Sequence, residues 1–286
     1  MMLVTGTHYR IVAEKGISES TLRRRFTEWR EAGMFEAVRD TILHFYDKII
    51  GLDLDHIAID GFKVDAPGGG DESGANPTNR GKVGRTWMNL VDARGVPLVL
   101  LPVPAGASEH KKVHQVLDIF EERFPDRPDR PRLHADAAYD VEWLRDDLRE
   151  RKYSYRIVCR YGDVMHQRSA AARKAKRTPG KNAKHRWQVE RTNKWYRDLR
   201  KVTRCTERRL ASVQAWADLA HAIIVLRCLI REAWYRYRWD RRPKRNPFPM
   251  GVEKERLNRQ RWERVHDWAR SDERTRAQDT SADRCA

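Results

Sequence analysis

The chain is poor in the features that mark secreted and membrane-bound proteins. Its four cysteines (Cys159, Cys205, Cys228, Cys285) lie far apart in 286 residues and form no CxxC pair. That excludes a zinc ribbon and a disulfide framework, and fits a reducing, cytoplasmic setting. The N-terminus, "MMLVTGTHYRIVAEKG", lacks a signal-peptide pattern, and no apolar run approaches the length of a membrane span, so no membrane partner is expected. Acid is missing from one place in particular. Between Val164 and Arg197, Glu190 is the only carboxylate. A helix that needed only solubility would interleave acids and bases at i,i+4 spacing.

Base is abundant instead. The net charge is +17, with 35% charged and 40% apolar residues. Residues 151–210 hold 20 Lys or Arg against four acids (Asp163, Glu190, Asp198, Glu207), so almost the whole excess sits in that stretch. Counterion release from phosphates makes it a nucleic-acid footprint, with Lys174, Lys176 and Arg177 expected to contribute non-specific affinity. On spacing alone, two readings of Glu190 stay open. It is half of a salt bridge with Arg186 or Arg197, or it is a functional carboxylate within a polyanion-binding surface.

Residues 7–50 read as helical. Ser18 or Ser20 can cap a helix in which Leu22, Phe26 and Trp29 form an apolar stripe beside Arg23, Arg24 and Arg25. This suits a helix-turn-helix, and equally a helical cap with solvated arginines. From residue 54 the period shortens. "LDHIAIDGF" predicts a strand ending near Asp60, and the glycine-rich "DAPGGGDESGANPTNRGK" a loop. "RTWMNLVDARGVPLVLLPVPAG" predicts a hairpin turning at "ARG". "HKKVHQVLDIFEERF" places Val113, Leu117 and Phe120 on one helix face. Next come a strand "RLHADAAY", a helix "DVEWLRDDLRERK", a strand "YSYRIVCRY" and a mobile basic loop to about Lys184. A helix around Glu190 and another from about Ser212 to Tyr237 complete the pattern. The fold class is α/β: a mixed sheet with an antiparallel start, flanked by helices. A small helical N-terminal region (1–50) precedes the main domain (51–240). A charged C-terminal tail (241–286) has too little apolar content for a core.

Asp60 and Asp136 close predicted strands, where open α/β sheets place their ligands, while Asp140 reads as a helix N-cap. Asp53, Asp55 and Asp65 rival Asp60 but fall before or early in the strand, or in the loop. Two carboxylates at neighbouring strand ends, with Glu190 from a helix, make a hard-oxygen cage for Mg²⁺. Other patterns fail. "GANPTNRGKV" has six residues where a P-loop needs four between its glycines, and a Val where Ser or Thr belongs. His110 and His114 lack the glutamate of a metalloprotease helix and read as a solvated face. Trp187, Trp195, Trp216 and Trp234 read mostly as core anchors, with Trp187 or Trp195 also able to stack on an unpaired base.

The order "IDGF…GANPTNRGKVGR…LVDARGVPL…HADAAYD…RWQVERTNKWYRDLRKV" resembles the DDE transposases of bacterial insertion sequences, specifically the group typified by insertion sequence five, from about residue 3 to residue 230. The resemblance implies an RNase H-like fold and metal-dependent cleavage at element ends with strand transfer into target DNA. It implies Asp60, Asp136 and Glu190 as the triad holding Mg²⁺, with Mn²⁺ as a substitute. Arg186, Arg191, Lys194 and Arg197 would grip phosphates near the scissile bond, and Arg80, Lys82 and Arg85 the target or flanking DNA. The partner is double-stranded DNA, the active form a homodimer or higher assembly on it, and the setting nucleoid-associated. Related groups often carry a Tyr where this chain has Ala183. Family members usually extend further ahead of "LVTGT", so the N-terminal reader is expected to be truncated. A catalytically silent DNA-binding remnant is the alternative.

Overall fold

The computed structural model describes residues 1–13, 16–157 and 180–236. Three long strands form its centre: β1 (His56–Asp65), β3 (Val83–Val91) and β4 (Pro97–Pro104). β3 and β4 are buried on nearly every residue, as strands covered on both faces must be. The turn between them is stapled by Asp92, whose Oδ1 accepts from the amides of Arg94 (2.9 Å) and Val96 (2.8 Å). Gly95 supplies the φ of +81° that closes it. β1 pairs antiparallel with β3, Asp60 facing Asn89. β5 (Arg132–Ala135) pairs parallel with β1, and β6 (Ser154–Ile157) parallel with β5. A short β2 (Gly74–Ala75) pairs with the start of β3. The sheet thus runs β4-β3-β1-β5-β6, three antiparallel strands followed by two parallel ones. That order and sense are RNase H-like.

Helices α1 to α4 (Met2–Thr5, Tyr9–Ala13, Glu19–Glu31, Met34–Ile49) precede the sheet. Ser18 caps α3, its side chain accepting from the Thr21 amide at 3.1 Å. α5 (Val113–Arg123) and α6 (Glu142–Glu150) are the crossovers that the parallel strands require. Val113, Leu117 and Phe120 are fully buried. α7 (Gly180–Arg197), α8 (Arg200–Thr203) and α9 (Leu210–Arg236) follow.

Residues 1–40 and 53–224 form one compact unit. Within it Phe26 of α3 stacks on Trp216 of α9, ring centroids 4.9 Å apart. Arg23, Arg24 and Arg25 pair with Glu19 and Glu28 on their own helix. Among the described residues, the second unit joins residues 41–52 to 225–236. There the Leu52 amide donates to Asp47 Oδ1 at 2.7 Å and closes the end of α4, while Leu226, Ile230 and Trp234 are exposed on α9.

Four expectations are corrected. β1 does not stop near Asp60: its ladder with β3 continues to Asp65, because β3 supplies partners along the whole length. Asp140 is not the N-cap residue of α6. Val141 is the N-cap of α6, and Asp140 pairs with Arg145. Trp29 is 46% exposed, leaving Phe26 as the buried member of its stripe. One apolar run does reach membrane-span length, Leu210–Trp234, although 61% of its most apolar window is buried within the protein. The basic loop with Lys174, Lys176 and Arg177, the end of "YSYRIVCRY" and the C-terminal tail lie outside the described residues.

Candidate active site

α7 lies across the middle of the sheet, and its periodicity explains how. Val189, Thr192, Asn193 and Tyr196, at i, i+3, i+4 and i+7, are buried. Val189 packs with Ala58 of β1 and Val91 of β3, and Tyr196 stacks on Phe62 at 5.9 Å. The Thr192 hydroxyl donates to the Gly95 carbonyl at 2.6 Å, and Arg191 donates to the Arg94 carbonyl, so the helix is also tied to the β3–β4 turn. A Cβ on Gly95 would come within 2.6 Å of Arg191 Nη2 and 3.1 Å of the Gln188 carbonyl. Glycine is therefore favoured there by its φ, and a Cβ would also displace the Arg191 guanidinium and crowd the Gln188 carbonyl. The opposite face of α7 carries Trp187, Glu190, Lys194 and Arg197, all exposed.

This docking brings the three expected carboxylates into one electrostatic neighbourhood. Asp136 directly follows β5, and Glu190 stands on α7. Arg186 joins them, its Nη1 2.6 Å from Asp136 Oδ1 and its Nη2 2.9 Å from Glu190 Oε1. Glu190 is thus salt-bridged to Arg186, one of its two expected partners, and the same guanidinium reaches Asp136. Asp60 is reached from behind. Asn193 Nδ2 donates to Asp60 Oδ2 at 3.0 Å, and Asn89 Nδ2 donates to Asn193 Oδ1 at 2.8 Å. Burial raises Asp60 to a pKa of about 7, with the charges of Glu109, Glu190 and Asp136 adding to the rise.

Glu109 was missed in the sequence. It lies on a 3₁₀ turn (Glu109–Lys112) before α5 and is the first charge acting on Asp60. It accepts from the Tyr139 hydroxyl at 3.1 Å and lies 3.8 Å from Lys63 Nζ. A side chain at Gly61 would collide with its carboxylate. Its own burial first, then the charges of Glu109, Asp60 and Asp136, push the Tyr139 hydroxyl well above its usual range. The signal that singled out Glu190 applied here too, since Glu109 is the only acid between Asp92 and Asp118.

The basic residues divide. Lys194 and Arg197 are exposed beside Glu190, and Arg197 also lies over the Phe62 ring at 5.9 Å. Arg191 sits between Trp187 and Trp195, 4.9 and 4.7 Å from their ring centroids, so both indoles flank a cation, and Trp187 is exposed rather than a core anchor. Arg80 and Lys82 are exposed in the loop ahead of β3. Arg85 does not join them. It is 1% exposed and donates to the carbonyls of Gly69 (2.9 Å) and Asp71 (2.9 and 3.1 Å), which corrects its expected DNA contact to a loop-fastening one.

Carboxylates on adjacent strands and a crossing helix, on a sheet of this order, define an RNase H-like protein with an acidic site. Its family follows from comparison. The family described as Transposase DDE domain matches residues 51–226, and the chain belongs to it; it is a DNA transposase of the bacterial insertion-sequence kind. A Burkholderia cepacia protein assigned as the transposase of insertion sequence element IS402 is 30% identical over 169 residues, covering 57% of this chain and 69% of that protein. Among solved structures, the Mos1 transposase paired-end complex with left transposon end is 12% identical over 67% of this chain and 72% of that one, TM-score 0.29. The catalytic domain of Mos1 mariner transposase is 11% identical over 70% and 92%, TM-score 0.28. At those scores the fold assignment rests on this chain's own strand order.

Proposed function

We propose that the chain cleaves DNA at the ends of an insertion sequence and joins the freed 3′-hydroxyl to target DNA, with Asp60, Asp136 and Glu190 as metal ligands. The observation that carries this reading is the Arg186 bridge between Asp136 and Glu190, beside an Asp60 whose pKa is raised by burial first and then by the charges of Glu109, Glu190 and Asp136. An Asp60 with its pKa raised to about 7 by burial first, then by the charges of Glu109, Glu190 and Asp136, suits a hard divalent cation, Mg²⁺ or Mn²⁺, as the ligand that must lose a proton. Such a cation, when bound, supplies charge stabilisation at the scissile phosphate and an activated attacking oxygen. The residues do the rest. Asn193 holds Asp60 in place, and Lys194 and Arg197 offer charge to phosphates from the exposed face of α7. The guanidinium of Arg186, released from one carboxylate, can turn to a phosphate oxygen. Arg80 and Lys82, exposed ahead of β3, suit flanking DNA. An element has two ends, so two sites acting together make a homodimer or larger assembly on DNA the natural active form. The insertion sequence five group and a cytoplasmic, nucleoid-associated setting complete the reading.

Nicking of a supercoiled plasmid bearing the element ends, with Mg²⁺ or Mn²⁺, tests this. Glu190→Gln should abolish nicking and leave DNA affinity equal or slightly higher, since it removes a ligand and a negative charge together. Nicking that persists in Glu190→Gln, or that falls in proportion to DNA binding, overturns the assignment.

A further inference from the structure

Three histidines that the carboxylate site does not use meet near it. His56 opens β1, His134 lies in β5 and His185 lies in α7. One ring nitrogen from each falls within 4.8 Å of the other two, and His56 Nδ1 is 3.0 Å from His134 Nε2. The ring centroids are 4.4 Å apart for His56 and His185, 4.6 Å for His134 and His185, and 5.3 Å for His56 and His134. Among the described residues, no other trio of His, Cys, Asp or Glu gathers its ligand atoms so tightly.

We propose that His56, His134 and His185 form a second metal site, one for a borderline divalent cation of the zinc class. Imidazole nitrogen is the ligand such ions prefer, and three histidines with one open position is an established coordination set. Zn–N bonds of about 2.0–2.1 Å in a tetrahedron separate ligand nitrogens by about 3.3 Å, close to the observed His56–His134 pair. Side-chain rotation closes the remainder. The chemistry separates the two sites, because Mg²⁺ and Mn²⁺ favour oxygen whereas imidazole favours zinc and its neighbours.

The location gives the site a role. His56 is four residues before Asp60, His134 two before Asp136, and His185 five before Glu190. Each element that carries an acid therefore also supplies one histidine. An ion held there would clamp β1, β5 and α7 together at the level below the carboxylates, a structural metal supporting the acidic site rather than a reagent in it.

Titration of the chelator-stripped full chain with Co²⁺, followed by the visible band of the low-symmetry ion, tests this in the presence of millimolar Mg²⁺. One equivalent should bind, be displaced by Zn²⁺, and persist in Asp60→Asn. His56→Gln and His185→Gln should each weaken it at least tenfold, and His134→Gln likewise. Zn²⁺ at a hundredfold excess over its Kd should raise the melting temperature by about 5–10 °C. If His134→Gln does not fold, by circular dichroism, the two partly exposed histidines still decide. Absence of the band, its survival in His56→Gln and His185→Gln, or its loss in Asp60→Asn overturns the proposal. A nicking defect in Glu190→Gln with cobalt binding intact leaves it standing, so the two sites fail separately.

Discussion

Replacing Asp60 by Asn should stabilise the metal-free protein while destroying its chemistry, and the gain should depend on pH. In the folded chain Asp60 ionises near pH 7 rather than at 3.8. The unfolded chain therefore loses this proton first, and folded-state stability falls as pH rises from about 4 to about 7. At about 1.4 kcal/mol per pKa unit the full difference is about 4 kcal/mol, and allowing for the partial access of water to the carboxylate about half of that is a fair lower figure. Asn removes the charge and keeps the carbonyl that accepts from Asn193, so it escapes the penalty without breaking the relay. Thermal melts in chelator should show Asp60→Asn above the parent by about 5–15 °C at pH 8, and by roughly a third of that at pH 5, where only part of the interval has been crossed. Excess Mn²⁺ should shrink the gap, because the cation compensates the ionised carboxylate in the parent alone. A melting difference that is flat with pH, or an Asp60→Asn that melts lower in chelator, refutes the electrostatic reasoning.

Three further outcomes are expected. Arg186→Gln removes the cation that Asp136 and Glu190 now share, so calorimetry should find Mn²⁺ bound several-fold tighter and nicking weaker; unchanged Mn²⁺ affinity would mean that the guanidinium does not compete with metal. Arg85→Ala should cost about 2–4 kcal/mol in denaturant unfolding by orphaning the Gly69 and Asp71 carbonyls, while the salt dependence of DNA binding stays as it was. Arg80→Asn with Lys82→Gln should flatten the log–log salt slope of DNA binding by about one for each phosphate no longer neutralised, and leave the melting temperature alone. Asn suits position 80 because its φ is +50°.

Local pattern revealed the elements, and distance hid their use. The spacing of Val113, Leu117 and Phe120 and the "ARG" turn are short-range signals, and both elements formed where expected. Asp136 was legible for the same reason, since the strand before it is short and ends at the residue before it. Asp60 was found but misplaced. A glycine after an aspartate reads as a strand end, yet here Gly61 continues the ladder and makes room for the Glu109 carboxylate. Arg85 looked like one more base in a basic loop because nothing in sequence shows that two carbonyls fourteen and sixteen residues earlier receive it. The three histidines are 78 and 51 residues apart, a spacing with no local signature. Only the parallel pairing of β1 with β5 and the crossing of α7 bring them together.

The amide relay from Asn89 through Asn193 to Asp60 gives α7 a double hold on the site. The helix carries Glu190 itself and, three residues further on, the amide that sets the orientation of Asp60. With Asp60 and Glu190 as the proposed ligands, a slide or rotation of α7 moves the carboxylate of one and the hydrogen-bond donor of the other together. On that assignment, displacement of α7 from the β3–β4 turn, to which Thr192 ties it, disturbs two proposed ligands at once rather than one. Two asparagine side chains thus tie the geometry of the acidic residues to the seating of a single helix.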